Sequence, residues 1–456
     1  MSLRGKAFGL SQEAKSQLLE RLVNRRGTQP PAADAKPVRP ARPPLGDPQE
    51  REELHRVRKA GAILAIENPF FRSHDGIAAA ETTIEGRRLL NLVSYNYLGL
   101  NGHPRVAAAA KQAIDQYGTS VSASRIVSGD RPVHRALEAA LAALHGTEDC
   151  LVMVSGHATN VTVIGHLVGP GDAIIHDQLS HNSIVQGAKL SGAQRVQFAH
   201  NDVGLLQRAL RSVRGRVKRV LVAIEGHYSM DGDVPDLAAM IETVRQNDAY
   251  LMVDEAHSVG VLGATGRGLA EHCGVNPAGV DIWMGTLSKT LSGCGGYIAA
   301  SHDLVEYLRY SAPGFVYSVG LAPPLAAASL ASLEVMREEP WRVQKLNANA
   351  RLFLQEAQAA GLNTGNSVGA AIVPIILGSS IRAARVADLL FRRGINVQPI
   401  LHPAVAERSA RLRFFLSSLH MPEQIRTAVA ETVLAIADVE KMKVDMNALA
   451  LLLSRS

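Results

Sequence analysis

Between Leu151 and Ala300, short apolar runs alternate with amphipathic stretches, and no other feature of the chain narrows its fold as far. Leu151–Val154, Ala173–His176, Val220–Ile224, Leu251–Val253 and Ile282–Met284 read as strands, and Tyr297–Ala300 follows a glycine pair. Stretches such as Val133–Leu144 and Leu237–Gln246 carry the helical period. Repeated strand–helix alternation predicts an open, mostly parallel α/β sheet. Ligands in such sheets bind beyond the carboxyl ends of the strands. Around Pro340 the pattern changes to a helix, strands at Ala371–Ile376 and Leu412–Leu416, and a closing helix, which predicts a smaller C-terminal α+β domain. The expected division is a leader at 1–48, an N-terminal segment at 49–105, a large domain at 106–340 and a small one at 341–456.

The leader differs in composition. Ser11 to Arg26 reads as a short helix with Leu18, Leu19, Leu22 and Val23 on one face, and seven of the 21 prolines fall between Gln29 and Pro48. Such a stretch favours an extended spacer over packed structure. Residues 1–60 hold thirteen Lys/Arg against seven Asp/Glu, so the whole net charge of +6 lies there. A basic leader suits an acidic carrier protein, a membrane surface or simple solvation. Aromatics at 4% and no nucleic-acid module argue against nucleic acid. No apolar run approaches the roughly 20 residues of a membrane span, and the start lacks the apolar core of a secretory signal. Cys150, Cys273 and Cys294 have neither zinc nor disulfide spacing, so a reducing, cytoplasmic setting is expected.

Two segments carry chemistry. Asp254 follows an apolar strand directly, where a carboxylate is costly to desolvate without a partner. Lys289 sits after a second strand among Thr286, Ser288, Thr290 and the glycines of Gly293-Cys294-Gly295-Gly296. A lysine in that setting is a credible Schiff-base amine. One cofactor suits both. Pyridoxal phosphate needs an amine for its aldehyde, an anion for its ring nitrogen and donors for its phosphate. Ser155-Gly156-His157-Ala158-Thr159-Asn160 reads as a glycine turn opening a helix, whose backbone N–H groups make a phosphate cup.

The chain resembles the α-oxoamine synthases, fold-type-I pyridoxal-phosphate enzymes, from about Asn68 to about Ala430. The resemblance rests on Ser94-Tyr-Asn96-Tyr97-Leu-Gly99, Ser122-Ala-Ser124-Arg125 leading to Gly129, and Asp177-Gln-Leu-Ser-His181. It rests equally on Glu225-Gly-His-Tyr-Ser229-Met-Asp-Gly232, Asp254-Glu-Ala-His257, Gly285-Thr-Leu-Ser-Lys289 and Arg411-Leu-Arg413. It implies decarboxylative condensation of a small amino acid with an acyl thioester, carried by coenzyme A or an acyl carrier protein, and a homodimer with active sites at the subunit interface.

The resemblance also implies residue roles. Lys289 holds the cofactor aldehyde and removes the α-proton; Asp254 pairs with the ring nitrogen. His181 stacks on the ring and orients the acyl carbonyl, while His257 and Ser229 donate to the phenolic oxygen. Gly156, His157, Thr286 and Ser288 fall at the phosphate, with Ser318 supplied by the other subunit. Arg413 grips the substrate carboxylate, and Asn96 and Ser124 line the substrate cleft. His157 departs from the usual Phe or Tyr, and Cys294-Gly-Gly296-Tyr297 is more similar to the serine palmitoyltransferase branch. Two other readings stay open: a lyase or aminotransferase reaction on the same scaffold, or a non-catalytic partner subunit, against which Lys289 argues.

Overall fold

In the computed structural model, residues 45–442 are described. The expected leader helix at Ser11–Arg26 and most of the proline-rich spacer lie outside them. The chain divides at Ala60 into two units. Within the described part of the first stands most of a polar helix, Pro48–Ile63.

The second unit opens with three short strands, β1 (His74–Asp75), β2 (Glu81–Ile84) and β3 (Arg87–Asn91), paired antiparallel. The main sheet follows: β4 (Asp149–Met153), β5 (Ala173–Asp177), β6 (Gln194–Phe198), β7 (Val220–Glu225), β8 (Tyr250–Asp254), β9 (Ile282–Thr286) and β10 (Gly296–Ala300). Its spatial order is β4-β10-β9-β8-β7-β5-β6. β5 to β9 run parallel, and β10 runs antiparallel to both β4 and β9. β5, β7 and β10 are buried along their whole length because helices cover both faces.

After the long helix Trp341–Ala359 come β11 (Ile372–Ile376), β12 (Ile395–Asn396), β13 (Gln398–Ile400) and β14 (Arg411–Phe415). β11, β14 and β13 form an antiparallel three-stranded sheet, while β12 returns to pair parallel with β3. The closing helix is Pro422–Lys441. One apolar core runs continuously from the main sheet to the small one, including Val222, Val253, Trp283, Ile372, Phe414 and Ile425.

The sheet sets up the site by register. Glu225 pairs with Asp254, and Asp254 with Met284, so Asp177, Glu225, Asp254 and Thr286 all close their strands at one edge. Alternation along β14 places Arg411 and Arg413 on one face. Both reach the loop after β7. Arg411 Nη1 binds Asp231 Oδ1 at 2.6 Å and the Met230 carbonyl at 2.8 Å, and Arg413 Nη1 donates to the Ser229 carbonyl at 3.1 Å.

Candidate active site

Lys289, Tyr95, Asn96 and Ser288 line one cavity of about 500 Å³ at the carboxyl edge of the main sheet. The Lys289 ammonium lies 5.7 Å from the Tyr95 ring centroid. Burial lowers the Lys289 pKa to about 8, against the opposing pull of Asp254 and Glu225. An amine in this range is a usable nucleophile and base near neutral pH.

Asp254 is buried, and the donors that meet it are neutral. Asn160 Nδ2 donates to Oδ2 at 2.8 Å and the Ala256 N–H to Oδ1 at 2.9 Å. Beside it, Glu225 accepts the His181 backbone N–H; burial, then the Asp254 charge, pushes its carboxyl well above the usual range. Two carboxylates packed together cannot both ionise cheaply.

His181 caps the helix Asn182–Ser191, with Nδ1 2.7 Å from Ser183 Oγ. Burial lowers its pKa, partly offset by Asp254, while Lys289 and Arg413 add to the lowering. His257 is buried with Nδ1 2.8 Å from the Tyr97 hydroxyl, and its ring stacks over Phe415 at 6.5 Å. Burial, reinforced by Lys289, keeps this imidazole neutral far below its ordinary range. Lys289, Asp254, His181, His257 and Arg413 thus share one electrostatic neighbourhood.

Two elements meet at the expected phosphate cup. Ser155 caps the helix Gly156–Leu167, its side chain accepting from the Ala158 N–H at 3.3 Å. The Thr286 hydroxyl, 2.7 Å from Ser288 Oγ, faces that helix end. A methyl added at Gly156 would lie 2.8 Å from Thr286 Oγ1, so glycine keeps the space between them open. His157 is exposed, edge-on to His181 with ring centroids 6.1 Å apart, and its Nε2 lies 3.4 Å from Asn182 Oδ1.

Arg413 has donors to spare. Its Nε is buried without a partner, and its guanidinium stands 4.7 Å over the Phe415 ring. Ser229 is buried beneath it. The Asn96 amide is already used within its own loop: Nδ2 donates to the Ala78 carbonyl at 2.7 Å, and Oδ1 accepts from the Asn101 N–H at 3.1 Å.

Ser124 and Ser318 do not line the Lys289 cavity. Ser124 begins a wide helical turn, Arg125–Gly129, and accepts the Gly129 N–H on its carbonyl. Ser318 lines a small separate cavity with Arg125 and Val154, and the Gly320 N–H donates to the Ala123 carbonyl at 3.0 Å, which ties these loops together. Sequence reasoning did not assign roles to Glu225, Asn160, Ser183 or Tyr95. An acid ending an apolar strand, as Asp254 does, was the available signal for Glu225.

These groups fit pyridoxal phosphate: an amine of lowered pKa, a buried carboxylate met only by neutral donors, and a glycine-opened helix end flanked by hydroxyls. Among the described residues no group of three or more His, Cys, Asp or Glu is arranged to hold a metal ion, and no helix is long and apolar enough to cross a membrane.

The family pattern described as aminotransferase class I and II matches residues 87–431. An 8-amino-7-oxononanoate synthase of Geobacter sulfurreducens is 40% identical over 380 residues, covering 83% of this chain and 95% of the relative. One of Pseudomonas putida is 39% identical over 370 residues, covering 81% and 93%. Among solved structures, serine palmitoyltransferase of Sphingomonas wittichii superposes with a TM-score of 0.82 at 31% identity, over 87% of this chain and all of that one. A serine palmitoyltransferase structure with pyridoxal phosphate gives 0.81 at 30%, over 87% of this chain and 100% of that chain. Likeness this even, along nearly the full length of each relative, carries the cofactor and reaction class with the fold: the chain belongs to the class I and II aminotransferase family, in its α-oxoamine synthase group, and is a pyridoxal-phosphate enzyme that condenses an amino acid with an acyl thioester with loss of carbon dioxide.

Proposed function

We propose that the chain joins a small amino acid to an acyl group delivered by coenzyme A or an acyl carrier protein, with Lys289 as the reactive amine. The single observation that carries the reading is the meeting of Lys289, Asp254, His181 and Arg413 in one electrostatic neighbourhood at the sheet edge. Bound there, pyridoxal phosphate supplies an aldehyde for the amine and an electron sink for the α-carbon. Asp254 would pair with the ring nitrogen, and His257 and Ser229 would serve the phenolic oxygen. Gly156, His157, Thr286 and Ser288 would hold the phosphate.

Arg413 offers its unpaired Nε and outer nitrogen as a fork to the substrate carboxylate. Lys289, when neutral, takes the α-proton on Nζ. His181 donates to the thioester carbonyl oxygen as charge develops there. The carbon–carbon bond forms at the acyl carbon, the thiol leaves, the resulting β-keto acid loses carbon dioxide, and Lys289 returns a proton from Nζ to the α-carbon. Asn96 and Ser124 belong to the substrate cleft in this reading, Asn96 through its loop.

A homodimer is part of the proposal. Val127 (79% exposed) and Tyr317 (87% exposed) stand on the two tied loops that carry Ser124 and Ser318, an apolar surface that a second copy would cover. In that arrangement Ser318 would hold the phosphate bound in the second copy. The basic leader at 1–48 serves as a docking arm for an acidic carrier protein, and the low cysteine count fits a reducing cytoplasm.

The test is thiol release. Purified enzyme is given small amino acids and acyl thioesters of both carrier types. Free thiol appearing only when both substrates are present supports the reading. Amino-group transfer or cleavage without a thioester contradicts it.

A further inference from the structure

We propose that Asn160 is a positioning residue that couples the two groups expected to flank the cofactor ring. Its amide nitrogen, shared between Asp254 and Ser183, orients the Asp254 carboxylate and, through the Ser183 hydroxyl, fixes His181 with its ring proton on Nε2. The inference rests on the roles proposed above for Asp254 and His181.

The chain of donors has one consistent direction. A carboxylate only accepts, so the Asn160 amide must turn its nitrogen toward Asp254 Oδ2, 2.8 Å away. The second hydrogen of that nitrogen points to Ser183 Oγ at 2.9 Å. With its oxygen accepting from Asn160, the hydroxyl is free to donate, and the His181 Nδ1 atom lies 2.7 Å away. The Ser183 backbone N–H donates to the same nitrogen at 3.3 Å. Two donors converge on Nδ1, so it carries the lone pair. A neutral imidazole then holds its proton on Nε2, where it can be given as a hydrogen bond to a carbonyl oxygen. Desolvation by its neighbours, with the Lys289 and Arg413 charges, lowers the His181 pKa and favours that neutral form.

Asn160 is buried and only its side-chain nitrogen is hydrogen-bonded; its Oδ1 has no partner, as is also true of Asn91 and Asn201. What sets Asn160 apart is that both partners of its nitrogen belong to the site. The residue stands one turn into the helix whose N-terminus forms the phosphate cup. The same helix therefore supports both ends of the cofactor.

The test uses holoenzyme labelled with ¹⁵N-histidine, comparing wild type with Asn160→Ala, Asn160→Leu and Ser183→Ala. Asn160→Leu keeps the size and removes the donors, which guards against loss of folding in the alanine variant. The expected result is a shift of the His181 ring ¹⁵N signals in all three. Cofactor dissociation constants in the two Asn160 variants should rise about tenfold, as for a lost hydrogen bond to a charged acceptor. Unchanged His181 signals, or an unchanged cofactor constant, in both Asn160 variants overturns the coupling. Wild-type protein that takes up no pyridoxal phosphate would instead overturn the roles on which the inference rests.

Discussion

Cofactor capture by cofactor-free protein should follow the ionisation of Lys289. Burial sets its pKa at about 8, against an ordinary 10.5. At pH 7 about a tenth of such an amine is neutral, against about three parts in ten thousand for an unperturbed lysine. The neutral form is the nucleophile, so the buried site gains roughly three-hundredfold in reactive amine at that pH. The assay is stopped-flow absorbance of pyridoxal phosphate uptake between pH 6 and 10. The rate should climb with a midpoint near 8 and level off above it. Stability must move with the same group. Between about 8 and 10.5 the unfolded lysine binds a proton that the folded one does not, so stability of the cofactor-free protein rises with pH across that window, by about 3 kcal/mol at most. Lys289→Met should remove that rise. A capture midpoint at 10 or above would refute the argument, because it would mean that the amine is solvated like a surface lysine.

Two further outcomes follow from geometry. Gly156→Ala places a methyl 2.8 Å from Thr286 Oγ1 at the first position of a helix that alanine favours. The melting temperature should hold while the cofactor dissociation constant, measured by fluorescence quenching, rises about tenfold, a step of about 1.4 kcal/mol. Arg413→Lys keeps the charge and loses the fork. Steady-state kinetics should show KM for the amino acid raised about tenfold or more, with KM for the thioester little changed.

Much of this site was legible because its residues close strands or open helices. Asp254 ends β8 as an acid after an apolar run, and Lys289 follows β9 within a glycine- and hydroxyl-rich turn. The helix Leu237–Gln246 has the bounds its periodicity predicts, and all six expected main-sheet strands fall within two residues of their observed bounds at both ends. β6 escaped because it is an edge strand: in Gln194–Phe198 only Val196 and Phe198 are apolar, and most of its side chains face solvent. The reversed direction of β10 is set by the short glycine turn after Lys289, which is too short for a crossover. The pairing of β12 with β3 joins residues about three hundred positions apart, and no local pattern encodes it.

The residues that sequence reasoning did not single out act through neighbours. Asn160 matters because Asp254 and Ser183 lie on either side of its nitrogen. Glu225 matters because its strand is in register with that of Asp254. Asn96 shows the converse. Its motif pointed to the substrate cleft; it lines the Lys289 cavity while its amide braces the loop that carries Tyr95 and Tyr97.

The central claim is that one amine, Lys289, bonds to the cofactor. Reducing the holoenzyme with borohydride makes that bond permanent, and peptide mapping by mass spectrometry then locates it. The account predicts a phosphopyridoxyl mass on the peptide containing Lys289, absent in Lys289→Ala. A label on another lysine, or no stable label at all, would contradict it.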